Sequence, residues 1–580
     1  SYALFEMRIE TKEELNKKST NTDQDVLETM LTYIGEIGRY QKFLFCAMLP
    51  FGLFFAYVYF VQMFVAATPQ RYWCHVPELA HLDLDLRRNL SAPGAIEGDN
   101  WERCSTFQAN WSLVLETMAP PGNDTPTAPC QHGYDFELTD IPYHTVVSER
   151  GWVCDKSSYA PMAQSIFFAG SFVGGLLFGW LADRFGRIPA LVGSTMIGFV
   201  GGVATIYTTG IVDFTIARFL VGMAYDSCFM MIYILVLEYI GPRYRTLAAN
   251  LSIALFFGAG CVSLPWLALW LADWRTLLWA TSAPMLIVLA IPFTVPESVR
   301  WLVSRGRTNQ AVRVFKTFEK INRTQIPQEV VDDFIASRQT QNQKHSVSAL
   351  FRSAPLRAML AYMVAVYMCC ALVFDGLVRL SESLGLDFFL TFTLASATEI
   401  PSVTLLALVM DRWGRRKLTV VPMGLSGILI GIAAFLPKGV PQTTAAVMAR
   451  FFINMSYTAA IQWATETLPT GVRASGSSLV HVSGYVATVL SPFIVYSERY
   501  WSSLPLLIMS GLTVLAVGCG LMLPETMGRP MPQTIADGEP AIETVCHSIS
   551  DVTDTERVLM FLTDFKKGGG YQFDRFLYVC

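Results

Sequence analysis

Four charged side chains fall deep inside long apolar runs of this sequence: Asp226, Asp375, Arg379 and Glu399. An ionisable group in hydrocarbon is costly, so each is a default candidate for recognising a charged solute. Asp226 stands twelve residues before Glu238, which closes its run. At 1.5 Å per residue that is about 18 Å, near the middle of a bilayer. A carboxylate there suits an ammonium group, through charge-assisted hydrogen bonding in a low dielectric. Pairing with another helix, or service as a protonated structural acid, is the plainer alternative. Asp375 and Arg379, four apart on one helix face, read either as an intrahelical ion pair or as the amine and carboxylate contacts of a zwitterion. Aromatic rings can cage an amine. Tyr57, Phe64, Phe229, Tyr233 and Tyr457 are candidates, with Phe229 and Tyr233 on the Asp226 face. In a chain that is 13% aromatic, packing is the alternative for each of them. Tyr485, twelve residues past Arg473, is again near mid-run, where a phenol can donate to a carboxylate or stack on an amine. His481, four residues earlier, joins it.

The elements that must position these residues are readable from composition. Of 580 residues, 52% are hydrophobic and 16% charged, with a net charge of −4; soluble domains carry about 25% charged residues. The deficit excludes a disordered chain, and the charge balance leaves no basic footprint for nucleic acid. Near-uncharged runs of roughly bilayer-spanning length start near Phe43, Ala160, Ala190, Phe214, Thr246, Thr276, Met359, Asp387, Leu418, Gln442, Ala474 and Leu504. They divide six and six around a polar stretch from Pro296 to about Ala354, whose alternating pattern predicts short amphipathic helices. The reading is an all-α integral membrane protein with twelve transmembrane helices. The first run has no nearby small-residue cleavage site and reads as an uncleaved helix.

With the N-terminus inside, the inner short loops hold Arg184, Arg187, Arg243, Arg245, Arg412, Arg415, Arg416, Lys417 and Arg473, and the outer ones only Arg275, Lys438 and Arg499. One long segment then lies outside, carrying Cys74, Cys104, Cys130 and Cys154, which predicts two disulfides with three connectivities open. Asn89, Asn110 and Asn123 head three glycosylation sequons in the same segment. The other cysteines, including Cys228, Cys261, Cys369 and Cys370, read as free packing thiols. The expected organisation is a cytoplasmic N-terminus over 1–41, a six-helix half over 42–295 with an extracellular loop domain at 67–159, linker helices over 296–356, a second half over 357–524 and a cytoplasmic tail over 525–580.

An internal repeat organises the chain. Asp183 and Asp411, Glu297 and Glu525, Glu238 and Glu466, and Arg245 and Arg473 are each 228 residues apart. Several landmarks at one offset predict a duplication, two six-helix halves whose interface near mid-membrane hosts the substrate. Asp183, Arg184, Arg187, Asp411, Arg412, Arg415, Glu238, Arg245, Glu466, Arg473, Glu297 and Glu525 form the expected gating set. Short glycine-containing loops allow tight reversals, and such charge networks can latch one conformation and release it in another. Plain topogenic charge plus a turn is the alternative.

Gly179-Trp-Leu-Ala-Asp-Arg-Phe-Gly-Arg187 resembles the signature loop of the major facilitator superfamily. Pro296-Glu-Ser-Val-Arg-Trp-Leu302, Leu523-Pro-Glu-Thr-Met-Gly528 and the large cysteine-bearing first outer loop resemble the organic cation, organic anion and carnitine transporter family. Thr68-Pro69 running into Cys74, Glu399-Ile-Pro401, and Glu466-Thr-Leu-Pro-Thr-Gly-Val-Arg473 fit the same pattern. Trp73-Cys-His-Val-Pro-Glu-Leu79 is similar to insect members, among them transporters of beta-alanine and carcinine. The resemblance covers roughly residues 40 to 530. It implies a major facilitator fold with a central cavity open alternately to each side, in the plasma membrane. Glu399 matches a family position lining that cavity, with interhelical pairing as the alternative. Two departures stand out. Cation carriers of the family tend to carry lysine where this chain has Asp226. At Tyr485 the cation carriers resemble one another in having Asp, and the anion and carnitine carriers in having Arg.

No Gly-x-x-x-x-Gly-Lys loop, zinc-ligand spacing or nucleophile–base grouping stands out in the sequence. The expectation is therefore a non-enzymatic secondary transporter without cofactor or metal, a monomer among membrane lipids with no nucleic-acid partner. Its substrate is a small organic amine or zwitterion, with a beta-alanine-like compound favoured. Cationic amines such as carcinine, histamine or carnitine-like compounds are the first alternative, and a non-transporting cell-surface receptor is the second. Asn322-Arg-Thr is a sequon on the cytoplasmic side and is expected to stay unmodified.

Overall fold

The apolar runs become helices, and two of them start on an aspartate cap. Asp273 accepts from Thr276 N at 2.7 Å to begin the sixth run, and Asp387 from Leu390 N at 2.7 Å to begin the eighth. The computed structural model describes residues 30–95, 101–122, 124–336, 354–468 and 473–527. Asn123, the side chain of Asp411 and the tail beyond 527 lie outside the described residues. Among the described residues, 11 helical spans are long and apolar enough to cross a membrane. They are Arg39–Val65, Cys154–Phe185, Arg187–Ile206, Ile211–Tyr239, Leu247–Leu271, Trp274–Thr294, Leu356–Glu382, Phe388–Met410, Arg415–Ala433, Gly476–Arg499 and Leu504–Leu521.

The expected tenth span is the helix Val440–Thr467, of 28 residues, which is long enough but too polar to join that set. Its polar side chains are used inside the protein. Asn454 donates to Ser402 Oγ at 2.7 Å, Gln442 to Ala433 O at 3.1 Å, and Arg450 to Phe374 O. Such pairing offsets the cost of polar groups at membrane depth.

The chain divides into two compact units, Ser1–Thr340 with Arg379–Ile400, and Gln341–Val378 with Pro401–Cys580. In the first, the second and fourth spans pack through glycine. A Cβ on Gly170, Gly174 or Gly222 would collide with backbone of the facing helix. The linker forms helices Val299–Ser304, Thr308–Asn322 and Gln328–Ala336, as its pattern predicts. Helix Thr308–Asn322 buries Phe315 and Phe318, and Phe318 meets Tyr40 at 4.6 Å and Tyr239 at 4.8 Å. Asn322 ends that helix and holds the segment before the first span. Its Nδ2 donates to Ile34 O at 2.9 Å and to Gln41 Oε1 at 2.8 Å, while its Oδ1 accepts from Tyr40 N at 2.9 Å.

The loop domain after the first span contains two antiparallel strand pairs. Tyr72–Cys74 pairs with Tyr134–Phe136 (Trp73 opposite Asp135), and Ser105–Phe107 with Thr127–Pro129. Its disulfides are Cys74–Cys130 and Cys104–Cys154, which selects one of the three connectivities. Cys228, Cys261, Cys369 and Cys370 are buried and form no disulfide. Trp73 and Trp101 anchor one small core, and Val76, Leu79, Leu90 and Val114 another. The short helix Val146–Arg150 fastens the domain to the helices below. Glu149 takes a two-pronged bond from Arg275 (2.6 and 2.7 Å) and a third from Trp274 Nε1 at 2.9 Å. Arg150 donates to Gly210 O at 3.0 Å and to Thr208 Oγ1 at 3.1 Å.

Candidate substrate-binding and gating sites

In the first unit, the hydrogen-bond ladder of the fourth span is interrupted at Tyr225–Asp226, between segments Ile211–Ala224 and Ser227–Tyr239, while both residues keep right-handed helical dihedrals. Asp226 restarts the helix: its carbonyl accepts from Met230 N at 3.0 Å and Phe229 N at 3.3 Å, and its side chain is half-buried. A row of stacked rings flanks this break. Phe55 stacks on Tyr225 at 5.0 Å and on Phe229 at 5.5 Å, Tyr59 on Tyr225 at 4.8 Å, and Phe229 meets Tyr233 at 5.5 Å. An acid at a helix interruption beside aromatic faces is chemically suited to an ammonium group.

The other candidates of this unit sit apart from that row. Tyr57 bonds Ser263 of the fifth span at 3.0 Å, and Phe64 packs against Phe388 and Phe392 at 5.1 and 5.0 Å. Glu399 is 3% exposed and lies against Gly258 of the fifth span. Arg379 is buried, with its guanidinium 5.4 Å over the Phe168 ring. Glu382, which the sequence reading missed, accepts from Thr68 N at 2.7 Å.

In the second unit, Tyr485, His481 and Tyr457 are joined through Tyr367. His481 Nε2 is 2.8 Å from Tyr485 Oη and its Nδ1 is 3.0 Å from Tyr367 Oη, which donates to Tyr457 Oη at 2.9 Å. Tyr457 also stacks on Phe374 at 4.9 Å, over which Arg450 sits at 3.4 Å. Asp375, one residue after Phe374, is wholly buried. Tyr367 was missed because one tyrosine in an apolar helix carries no distinguishing signal. Phe55, Tyr59 and Tyr225 went unread for the same reason.

The residues expected to gate form matched networks, one in each unit. Glu297 accepts from Arg187 N at 2.9 Å and Ile188 N at 3.1 Å, capping the third span. Glu525 accepts from Arg415 N at 3.0 Å at the start of the ninth. Each carboxylate meets a reversal at a glycine with positive φ, +115° at Gly186 and +86° at Gly414. Glu238 accepts from Ser298 Oγ, and Glu466 from Thr526 Oγ1 and from Arg415, 2.9 Å away. Asp183 pairs within its own turn with Arg187 at 3.0 Å and is largely exposed. Arg184 lies over Trp180 at 5.5 Å, Arg412 is exposed, and Arg245 and Arg473 donate to the carbonyls of Ile240 and Leu468. Burial holds the Arg473 guanidinium below its usual range.

Asn89 is half-buried and Asn110 exposed in the loop domain. Among the described residues no cluster of three or more His, Cys, Asp or Glu could hold a metal ion.

Residues 127–534 match the model of the sugar (and other) transporter family. The chain is 29% identical to the carcinine transporter of Drosophila melanogaster, covering 88% of this chain and 79% of that protein. It is 29% identical to the beta-alanine transporter of the same fly, covering 88% and 89%. Solute carrier family 22 member 1 of Bos taurus is 30% identical, covering 89% and 93%. Among solved structures, the fold is similar to the xylose transporter XylE from E. coli in a partially occluded inward-open conformation. That match has a TM-score of 0.55 at 16% identity and covers 86% of this chain and 100% of XylE. The chain is thus a membrane transporter of the major facilitator superfamily and belongs to the sugar (and other) transporter family, on its solute carrier family 22 branch.

Proposed function

We propose that this protein is a plasma-membrane secondary transporter that moves a small organic amine or zwitterionic amino compound by alternating access, with both termini cytoplasmic. The observation that carries the reading is Asp226, a carboxylate at an interruption of a membrane-spanning helix, flanked by stacked aromatic rings. A fixed acid beside π faces selects an ammonium centre. The hydrogen-bonded Tyr485–His481 pair of the second unit is a further candidate contact for polar substrate groups. A beta-alanine-like zwitterion is therefore favoured.

A purely cationic amine such as carcinine is the second reading. The stacked rings themselves support it, because they serve a cation without needing a carboxylate contact. A receptor role finds no support among the relatives described above, all of which are named as transporters or solute carriers.

Radiolabelled uptake into vesicles bearing the purified protein tests the proposal, with competition by beta-alanine, carcinine, carnitine and tetraethylammonium. Saturable accumulation of labelled beta-alanine, displaced by unlabelled beta-alanine better than by tetraethylammonium, is expected. The reverse order of competition selects the cationic reading. Accumulation of none of these compounds above empty vesicles sinks both.

A further inference from the structure

The second span joins the loop domain at one end, through the Cys104–Cys154 disulfide, and meets a cationic cavity at the other. That cavity has a volume of about 600 Å³ and is lined by Trp180, Asp183, Arg184, Phe185, Arg305 and Arg307. Its size is ordinary for a ligand site. Trp180 and Phe185 are exposed, and so are the three arginines.

Local structure brings the three guanidinium groups together. The linker helix Val299–Ser304 docks on the end of the second span, where the Asp183 carbonyl accepts from Trp301 Nε1 at 2.9 Å and from Arg305 Nη2 at 2.6 Å. The chain then reverses at Gly306, whose φ is +71°. Gly306 N donates to Val303 O at 2.9 Å and Arg307 N to Leu302 O at 2.8 Å, a helix end that favours glycine. This turn sets Arg305 and Arg307 over the same Trp301 ring, at 6.0 and 5.5 Å. From the span, Arg184 lies over Trp180 at 5.5 Å and over Phe185 at 5.8 Å. A guanidinium lying over a ring keeps its N–H edge for an oxyanion. The acid of the lining, Asp183, pairs with Arg187 at 3.0 Å.

Two further observations bear on the ligand. At the repeat offset of 228, Arg184 recurs as Arg412, whereas Arg305 and Arg307 fall on Gln533 and Ile535. A latch common to both halves therefore does not call for the two linker arginines. Val173, Leu176, Leu177 and Trp180 are all exposed, at the spacing of one helix face. This apolar stripe runs along the second span into the cavity, as a path for acyl chains does.

We propose that the cavity binds the phosphate-bearing headgroup of an acidic phospholipid in the leaflet opposite the loop domain. Arg184, Arg305 and Arg307 take the phosphate oxygens, and Trp180 and Phe185 lie against the glycerol and upper acyl chains. In the orientation proposed above this is the cytoplasmic leaflet, which carries the acidic lipids. The headgroup bridges the second span and the linker, whichever solute the protein carries.

The test titrates the purified chain, in phosphatidylcholine nanodiscs, with fluorescent dioctanoyl phosphatidylinositol bisphosphate and reads anisotropy. Saturable binding is expected, displaced by the unlabelled lipid at least tenfold better than by free inositol trisphosphate. At about 1 kcal/mol per arginine, Arg305→Gln/Arg307→Gln should weaken binding about 30-fold. Arg313→Gln/Lys316→Gln removes two exposed charges from the next linker helix and should stay within twofold of wild type. Arg305 also holds the Asp183 carbonyl, so Arg307→Gln alone, which spares that bond, is measured as well. It should weaken binding about fivefold at an unchanged melting temperature. Absence of saturable binding, wild-type affinity in either arginine variant, or an equal loss in R313Q/K316Q overturns the site. Inositol trisphosphate competing as well as the lipid overturns the lipid assignment in favour of a soluble phosphate compound.

Discussion

At the scale of single residues, depth arithmetic from Glu238 predicts Asp226 near mid-membrane, and the structure puts it within the fourth span. The helix break at Tyr225–Asp226 was not legible, because its flanks are as apolar and helix-compatible as the rest of the run. The partners of Tyr485 were equally hidden. His481 is readable as an i−4 neighbour, but Tyr367 reaches the ring only because Gly484 lets two helices approach closely. That closeness is a tertiary fact with no local signature. If Asp226 binds the ammonium group, Asp226→Asn should lower uptake about 10- to 100-fold, the value of a charge-assisted bond of about 1.5–3 kcal/mol. Surface expression must match the wild type, and uptake within twofold of it would remove Asp226 from the site.

At the scale of elements, the repeat predicted matched motifs, and the structure gives their chemistry. Glu297 and Glu525 each cap the helix that follows a glycine reversal, using backbone N–H groups that otherwise lack partners. Asp183 of the first motif pairs within its own turn with Arg187. Both oxygens of Glu297 are occupied by backbone donors, so Glu297→Gln turns one amide hydrogen against Ile188 N. It should cost about 1–3 kcal/mol, read as a lower melting temperature of the detergent-solubilised protein. The Glu149–Arg275 clamp makes a pH prediction. The two-pronged bond from Arg275 holds the Glu149 carboxyl below the usual range, so its contribution is complete above the unfolded value and is lost as pH falls through the folded one. The melting-temperature gap between wild type and Glu149→Gln should close on acidification from about pH 6 to below about pH 4. A gap that is constant with pH refutes the clamp.

At the scale of the whole molecule, apolar run lengths gave eleven of the twelve expected spans among the described residues, the tenth being a helix too polar to qualify, and the even cysteine count gave a disulfide-bonded loop domain. The pairing Cys74–Cys130 and Cys104–Cys154 needed three dimensions, since four cysteines permit three frameworks. Each bridge closes a loop of 56 or 50 residues, worth about 4 kcal/mol on the chain-entropy account. Reduction should therefore unfold the loop domain at a lower temperature than the membrane helices, measured by its susceptibility to added protease. If the loop domain lies outside, Asn89→Gln and Asn110→Gln should each remove one glycan's mass from the protein made in animal cells. Unchanged mobility of both would overturn the proposed orientation.

The amide of Asn322 adds a consequence for biosynthesis. Its nitrogen already serves Ile34 and Gln41 and its oxygen serves Tyr40, so a sugar on that nitrogen would prevent the N-terminal segment from seating on the linker helix. A copy threaded into the membrane upside down would offer this sequon to the glycosylation machinery of the lumen. In the proposed orientation the sequon stays bare; a copy glycosylated at Asn322 would lose the amide that the finished fold uses.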